Sequence, residues 1–153
     1  PIGAGDIKPS SSGKRILDYL AGRVPSFLQG GINFVSVRDV AAGHLLAARR
    51  GHAGRRYILG HAQGNLLRED FYRLMQEVTG IQPPRTGERN PLRRLGHSLV
   101  TSGGGRQPGG GKQPAALTCN PARAIAELGL PQTPARKALG KAVEWYRAYG
   151  YAP

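Results

Sequence analysis

The chain has 153 residues, enough for one domain with a sizeable core, but 23 glycines and 12 prolines stand beside a hydrophobic fraction of only 39%. A single cysteine excludes an internal disulfide and a cysteine-based zinc site and suits a reducing cytoplasm, and no apolar run is long enough for a membrane span or a signal peptide. The formal charge is +13, yet the 22 basic residues are spread along the chain without aromatic interleaving, so a globular domain rich in arginine is the first reading and a basic nucleic-acid-binding or interaction module the alternative.

In chain order, Pro1 to Asp6 is turn-rich, and Lys8-Pro9-Ser10-Ser11-Ser12-Gly13 continues it as loop. Ile16, Leu17 and Leu20 share one face of a helix predicted over about 13–20, with Gly22 as its stop. After the Gly30-Gly31 breaker, Ile32, Phe34, Val35 and Val37 predict a short strand. At Asp39, the expected N-cap, the pattern turns helical, with Val40, Gly43, Leu45, Leu46 and Ala47 recurring until Arg49-Arg50-Gly51. Arg55 to Leu59, between Gly54 and Gly60, predicts a second short strand of the kind buried in a parallel sheet. A helix is then expected from Asn65 onward, its apolar face formed by Phe71, Leu74, Met75 and Val78 and its end marked by Gly80 and Pro83-Pro84. Strand, helix, strand, helix in this order implies parallel crossovers.

Residues 85–118 change character. From Ser102 to Pro114 there is no hydrophobic side chain, so burial cannot offset the ordering entropy, and the stretch reads as a disordered or exposed loop. Asn120-Pro121 and Thr133-Pro134 each pair a capping residue with proline and open two further helices, the first carrying Ala124, Ile125 and Leu128, the second Leu139, Val143, Trp145 and Tyr146. The chain therefore divides into an α/β part over 1–84, an insert over 85–118 and terminal helices over 119–153.

Local catalytic motifs are absent from this sequence. Lys112 follows a glycine run, but Arg106 and Gln113 stand where a phosphate-binding loop needs Gly and Ser or Thr. No glycine-rich dinucleotide fingerprint opens a strand-to-helix turn. His44, His52, His61 and His97 lie on separate elements without metal-ligand spacing, and Cys119, although placed just before a helix, reads as an idle thiol rather than a nucleophile.

Several stretches together resemble the C-terminal half of extended short-chain dehydrogenases/reductases of the NAD-dependent epimerase/dehydratase type. They are Pro1-Ile2-Gly3 with Asp6-Ile7-Lys8-Pro9, Phe34 to His44, Gly54 to Gly60, Ala122-Arg123-Ala124 with Glu127-Leu128-Gly129, and Ala142-Val143-Glu144-Trp145-Tyr146 with Gly150-Tyr151. Their order and spacing are most similar to hopanoid-associated sugar epimerases and dihydroflavonol-reductase-like members. The resemblance implies the last part of a Rossmann-like fold with an incomplete sheet, a substrate lobe and C-terminal helices. It also implies NAD or NADP in a complete enzyme, a sugar-like or carbonyl substrate, and a missing N-terminal half with the glycine-rich turn and a Tyr-x-x-x-Lys dyad. No tyrosine here (Tyr19, Tyr57, Tyr72, Tyr146, Tyr149 or Tyr151) has lysine four residues on, so no catalytic residue is assigned and the chain alone is expected to be inactive. The implied cofactor-binding residues are Pro1, Ile2 and Gly3, largely by backbone, and the substrate-lobe candidates are Lys8, Asn33 and Arg56. Two features depart from the family pattern. Ile32 stands where nucleotide-sugar epimerases often carry arginine, which favours a smaller or non-nucleotide substrate, and 85–118 replaces apolar helical sequence with either a degenerate insert or a stretch read in a shifted frame.

Overall fold

Residues 1–84 and 115–153 are described by the computed structural model. Their helices are α1 (Ser11–Leu20), α2 (Val37–Arg50), α3 (Arg68–Thr79), a single π-helical turn α4 (Ala124–Leu128) and α5 (Ala135–Ala148). Two short strands, β1 (Ile32–Asn33) and β2 (Asn65–Leu66), pair antiparallel with Ile32 opposite Leu66. The expected parallel crossover is thus corrected. Arg55–Leu59 forms no strand: among the described residues the backbone of 56–59 pairs with no other segment, while Tyr57 donates its hydroxyl to Glu127 and Ile58 is 53% exposed. The partner of β1 is instead the stretch from which a helix was expected to start. At Leu67 the chain turns into α3, and the Asp70 carboxylate reaches back to accept from the Leu67 amide at 3.3 Å.

β1 is also paired on its other edge. The Asn33 amide donates to the Leu117 carbonyl at 2.8 Å and the Leu117 amide to the Gly31 carbonyl at 2.9 Å, a parallel contact. The loop or insert expected over 85–118 lies, for 85–114, outside the described residues. Within 115–118, expected outside the packed fold, Ala115 accepts from the Gly30 amide and Leu117 bonds Gly31 and Asn33, so this end of the stretch is paired through backbone groups. One residue beyond Val35, the opening segment adds a second parallel contact: the Ile2 amide donates to Val35 and its carbonyl accepts from Val37, both at 2.8 Å.

The main core gathers Ile2, Ile16, Tyr19, Phe34, Phe71, Met75, Leu139, Val143 and Tyr146. Phe71 is fully buried at its centre, with ring centroids 5.3 Å from Phe34 and 5.6 Å from Phe27. The predicted faces of α1, α3 and α5 all point here, with Trp145 at the margin. A smaller cluster of Ala124, Leu128 and Leu130 packs beneath α2 against Leu46 and Leu59.

The cap of α2 also differs from expectation. Ser36, not Asp39, is the N-cap, its hydroxyl accepting from the Arg38 amide at 3.2 Å. Asp39 lies within the first turn, 4% exposed, where its carboxylate accepts from the Thr133 amide at 2.6 Å and the Thr133 hydroxyl at 2.8 Å. Thr133 therefore serves Asp39 and leaves the start of α5 to Pro134. The two carboxylate bonds join α2 to the entry of α5, and their loss would leave two donors unpaired. Ser36→Ala should lower stability by about 1 kcal/mol, whereas Asp39→Ala should lower it by about 2–3 kcal/mol. Denaturant unfolding checks the order: equal losses would mean that Asp39 is no more than a helix-end charge.

Candidate functional site

The opening segment, α1, the start of α2 and α5 enclose an open cavity of about 240 Å³, lined by Pro1, Ile2, Gly3, Asp6, Val37 and Tyr146 among others. Gly3 takes φ +153°, and a Cβ there would stand 2.6 Å from Val37 Cγ1, so only glycine lets the backbone lie this close to α2. Both backbone groups of Ile2 are already spent on Val35 and Val37. The wall at Ile2–Gly3 therefore offers a ligand shape and van der Waals contact, with no free donor from Ile2.

Beneath the wall lies a network that local sequence does not announce. Asp6 accepts from the Tyr146 hydroxyl at 2.6 Å, the Ser10 hydroxyl at 2.9 Å and the Ser10 amide at 3.0 Å. Ser10 in turn caps α1 by accepting from the Gly13 amide at 3.1 Å. Burial opposes the charge on Asp6, but the bonds from Tyr146 and Ser10 outweigh it and hold the carboxyl below the usual carboxylate range. Burial first, then the bond to Asp6 and its charge, push the Tyr146 hydroxyl well above an ordinary phenol. An acid–base tyrosine needs the opposite shift, so Tyr146 acts here as a clamp. Gly13 makes the clamp possible, because a Cβ at that position would collide with the Tyr146 hydroxyl and Asp6 Oδ2. The run Asp6 to Gly13 could have signalled an N-terminal cap, but the hydroxyl that completes the network lies 140 residues away from Asp6.

The other predicted residues are scattered. Lys8 is exposed and lines neither described cavity. Asn33 is committed internally: its side chain donates to the His61 carbonyl at 2.9 Å and Asn65 Oδ1 at 2.7 Å and accepts from the His61 amide at 3.1 Å. Arg56 lines a separate cavity with Ile58, Asn120, Ala122 and Arg123. Burial raises the Cys119 thiol pKa, the reverse of what a nucleophile requires. Among the described residues no three His, Cys, Asp or Glu side chains converge as metal ligands, and no helix is long and apolar enough to cross a membrane.

No family profile matches the chain. Its sequence is 35% identical over 167 residues to a dihydroflavonol 4-reductase-like protein of Synechocystis, covering 99% of this chain and 47% of that one. In structure it superimposes on a nucleoside-diphosphate-sugar epimerase from Pseudomonas aeruginosa with TM-score 0.71 and 27% identity, over 99% of this chain and 47% of the epimerase. The Bordetella bronchiseptica enzyme WbmF, solved with NAD+ and UDP, shares the fold at TM-score 0.58 and 21% identity, over 93% of this chain and 37% of WbmF. The chain spans about half the length of the curated relatives it matches. The small sheet and the surrounding helices are therefore part of an α/β, Rossmann-like extended fold. More closely, the match over about half of each relative fits a C-terminal fragment of the extended short-chain dehydrogenase/reductase kind.

The clamp gives a pH signature with a definite sign. A carboxyl held low in the folded state adds stability above its unfolded value, lost as pH falls through the folded value. A phenol held high adds stability below about pH 10, lost as pH rises through the folded value. Tyr146→Phe should flatten both limbs of a stability–pH curve. Gly13→Ala should destabilise by about 1–3 kcal/mol through overpacking. An unchanged acid limb in Tyr146→Phe would remove the clamp.

Proposed function

We propose that this chain is the substrate-lobe half of an NAD(P)-dependent epimerase, dehydratase or reductase acting in the cytoplasm on a sugar-like or carbonyl compound. In such an enzyme the nicotinamide supplies hydride transfer to or from a substrate carbon, and the acid–base tyrosine belongs to the other half. The observation that carries this reading is the backbone wall at Ile2–Gly3, fixed beside Val37 at the mouth of an open cavity. Its residues fit one flank of a nicotinamide ring and nothing more: they supply a flat surface, while the pyrophosphate needs a fingerprint that this sequence lacks.

In this assignment residues 1–84 supply the last Rossmann elements and part of the substrate lobe, and 119–153 its terminal helices. Pro1, Ile2 and Gly3 shape the cofactor flank. Lys8 and Asn33 belong to the substrate lobe, Lys8 as an exposed cation that follows this wall and Asn33 as the side chain that holds β1 to the 61–65 loop. NAD is the cofactor favoured by the NAD+ complex of WbmF. The nucleotide sugars implied by the epimerase likeness remain one substrate class, although Ile32 in place of arginine favours a smaller one.

Calorimetric titration of the chain alone with NAD+ should give no saturable heat, and a micromolar Kd would mean a complete dinucleotide site in this half. In the complete enzyme Gly3→Val should weaken the cofactor on the order of tenfold by pushing the wall off Val37. Unchanged cofactor affinity in that variant would remove Ile2–Gly3 from the nicotinamide site.

A further inference from the structure

Arg55, Arg56, Tyr57 and Ile58 divide their side chains between two neighbours. Arg55 pairs with Glu127 and Tyr57 donates to the other oxygen of the same carboxylate at 2.7 Å. Both oxygens of this acid, the one acidic side chain of α4, are thereby engaged. Arg56 and Ile58 line the second cavity instead, with Asn120, Ala122 and Arg123 forming its other side. Its volume is about 400 Å³, within the range of small-molecule sites. Neither Arg56 nor Arg123 has an acidic partner among the described residues. Two uncompensated guanidinium groups beside one cavity repel each other, and an anion between them would relieve that cost. Asn120 uses its side-chain oxygen on the Ala122 amide at 3.0 Å, which leaves its NH2 group as a further donor. Ile58 adds an exposed apolar side chain to the same cavity.

We propose that this cavity binds a small phosphate ester, with Arg56 and Arg123 on the phosphate, Asn120 donating to it, and Ile58 against the organic part. A phosphate monoester carries close to two negative charges at neutral pH and presents several acceptor oxygens, which matches two arginine forks better than a single carboxylate does. The site shares no lining residue with the cavity at Ile2–Gly3 and stands whether or not that wall receives a nicotinamide.

Titration of the 153-residue chain with phenyl phosphate at low salt, followed by phosphorus NMR and by amide shifts, tests the site. Saturable binding is expected, with amide shifts at 56, 58, 122 and 123 and weaker binding of inorganic phosphate. Arg56→Gln and Arg123→Gln should each weaken phenyl phosphate about tenfold, one charge-assisted contact's worth. Arg49→Gln, on the exposed end of α2, should leave it unchanged, and thermal melts of all three variants should coincide with that of the parent chain. Absence of saturation, equal affinity for both probes, or an equal loss in Arg49→Gln would overturn the proposal, the last by showing attraction to the net charge alone.

Discussion

The structure depends on residues 30–39 being claimed from several sides at once. β1 receives β2 on one edge and Ala115–Leu117 on the other, and Ile2 aligns beside Ser36. Asp39 then fixes the approach to α5 through Thr133. Each contact satisfies backbone or buried polar groups that would otherwise be orphaned, so the ten-residue stretch works as a junction whose partners are interlocked. The helices add apolar area around it, but their directions follow from where this junction lets the chain enter and leave.

Helical faces were legible because they are local. The period of Phe71, Leu74, Met75 and Val78 needs no knowledge of the rest of the chain, and neither does the Leu139, Val143, Tyr146 stripe. The pairing of strands was not, because it depends on partners far away. The Arg55–Leu59 run has strand-like composition, yet Glu127 and the second cavity take its side chains, while Asn65–Leu66, with one apolar residue, pairs with β1. Asp39 shows the same limit at one residue: an Asp at the start of a helical pattern reads as a cap, and only the position of Thr133 gives it a tertiary role.

The candidate site divides along the same line. Family resemblance reached Pro1, Ile2 and Gly3, and the structure places them together on one cavity wall. It included Asp6 and Tyr146 in its matched stretches without giving them a role and did not reach Ser10 or Gly13; the association of the four exists only after α5 has docked. Asn33 was a substrate-lobe candidate implied by the resemblance; its side chain bonds His61 and Asn65. A polar residue on a short strand is as readily a cross-link between loops as a contact for a ligand.

The clamp of Asp6 on Tyr146 also bears on how the chain folds. It joins residues 140 apart, and the Asp39–Thr133 bonds join residues 94 apart. Helices form within microseconds, whereas contacts of such separation must first close long loops. A chain rich in helices should for that reason fold at a pace set by its non-local polar ties, with α1 and α3 forming early and waiting for α5. Loss of the α5 contacts would release the opening segment and the start of α2 together, so that the Ile2–Gly3 wall and the main core would open as one cooperative unit.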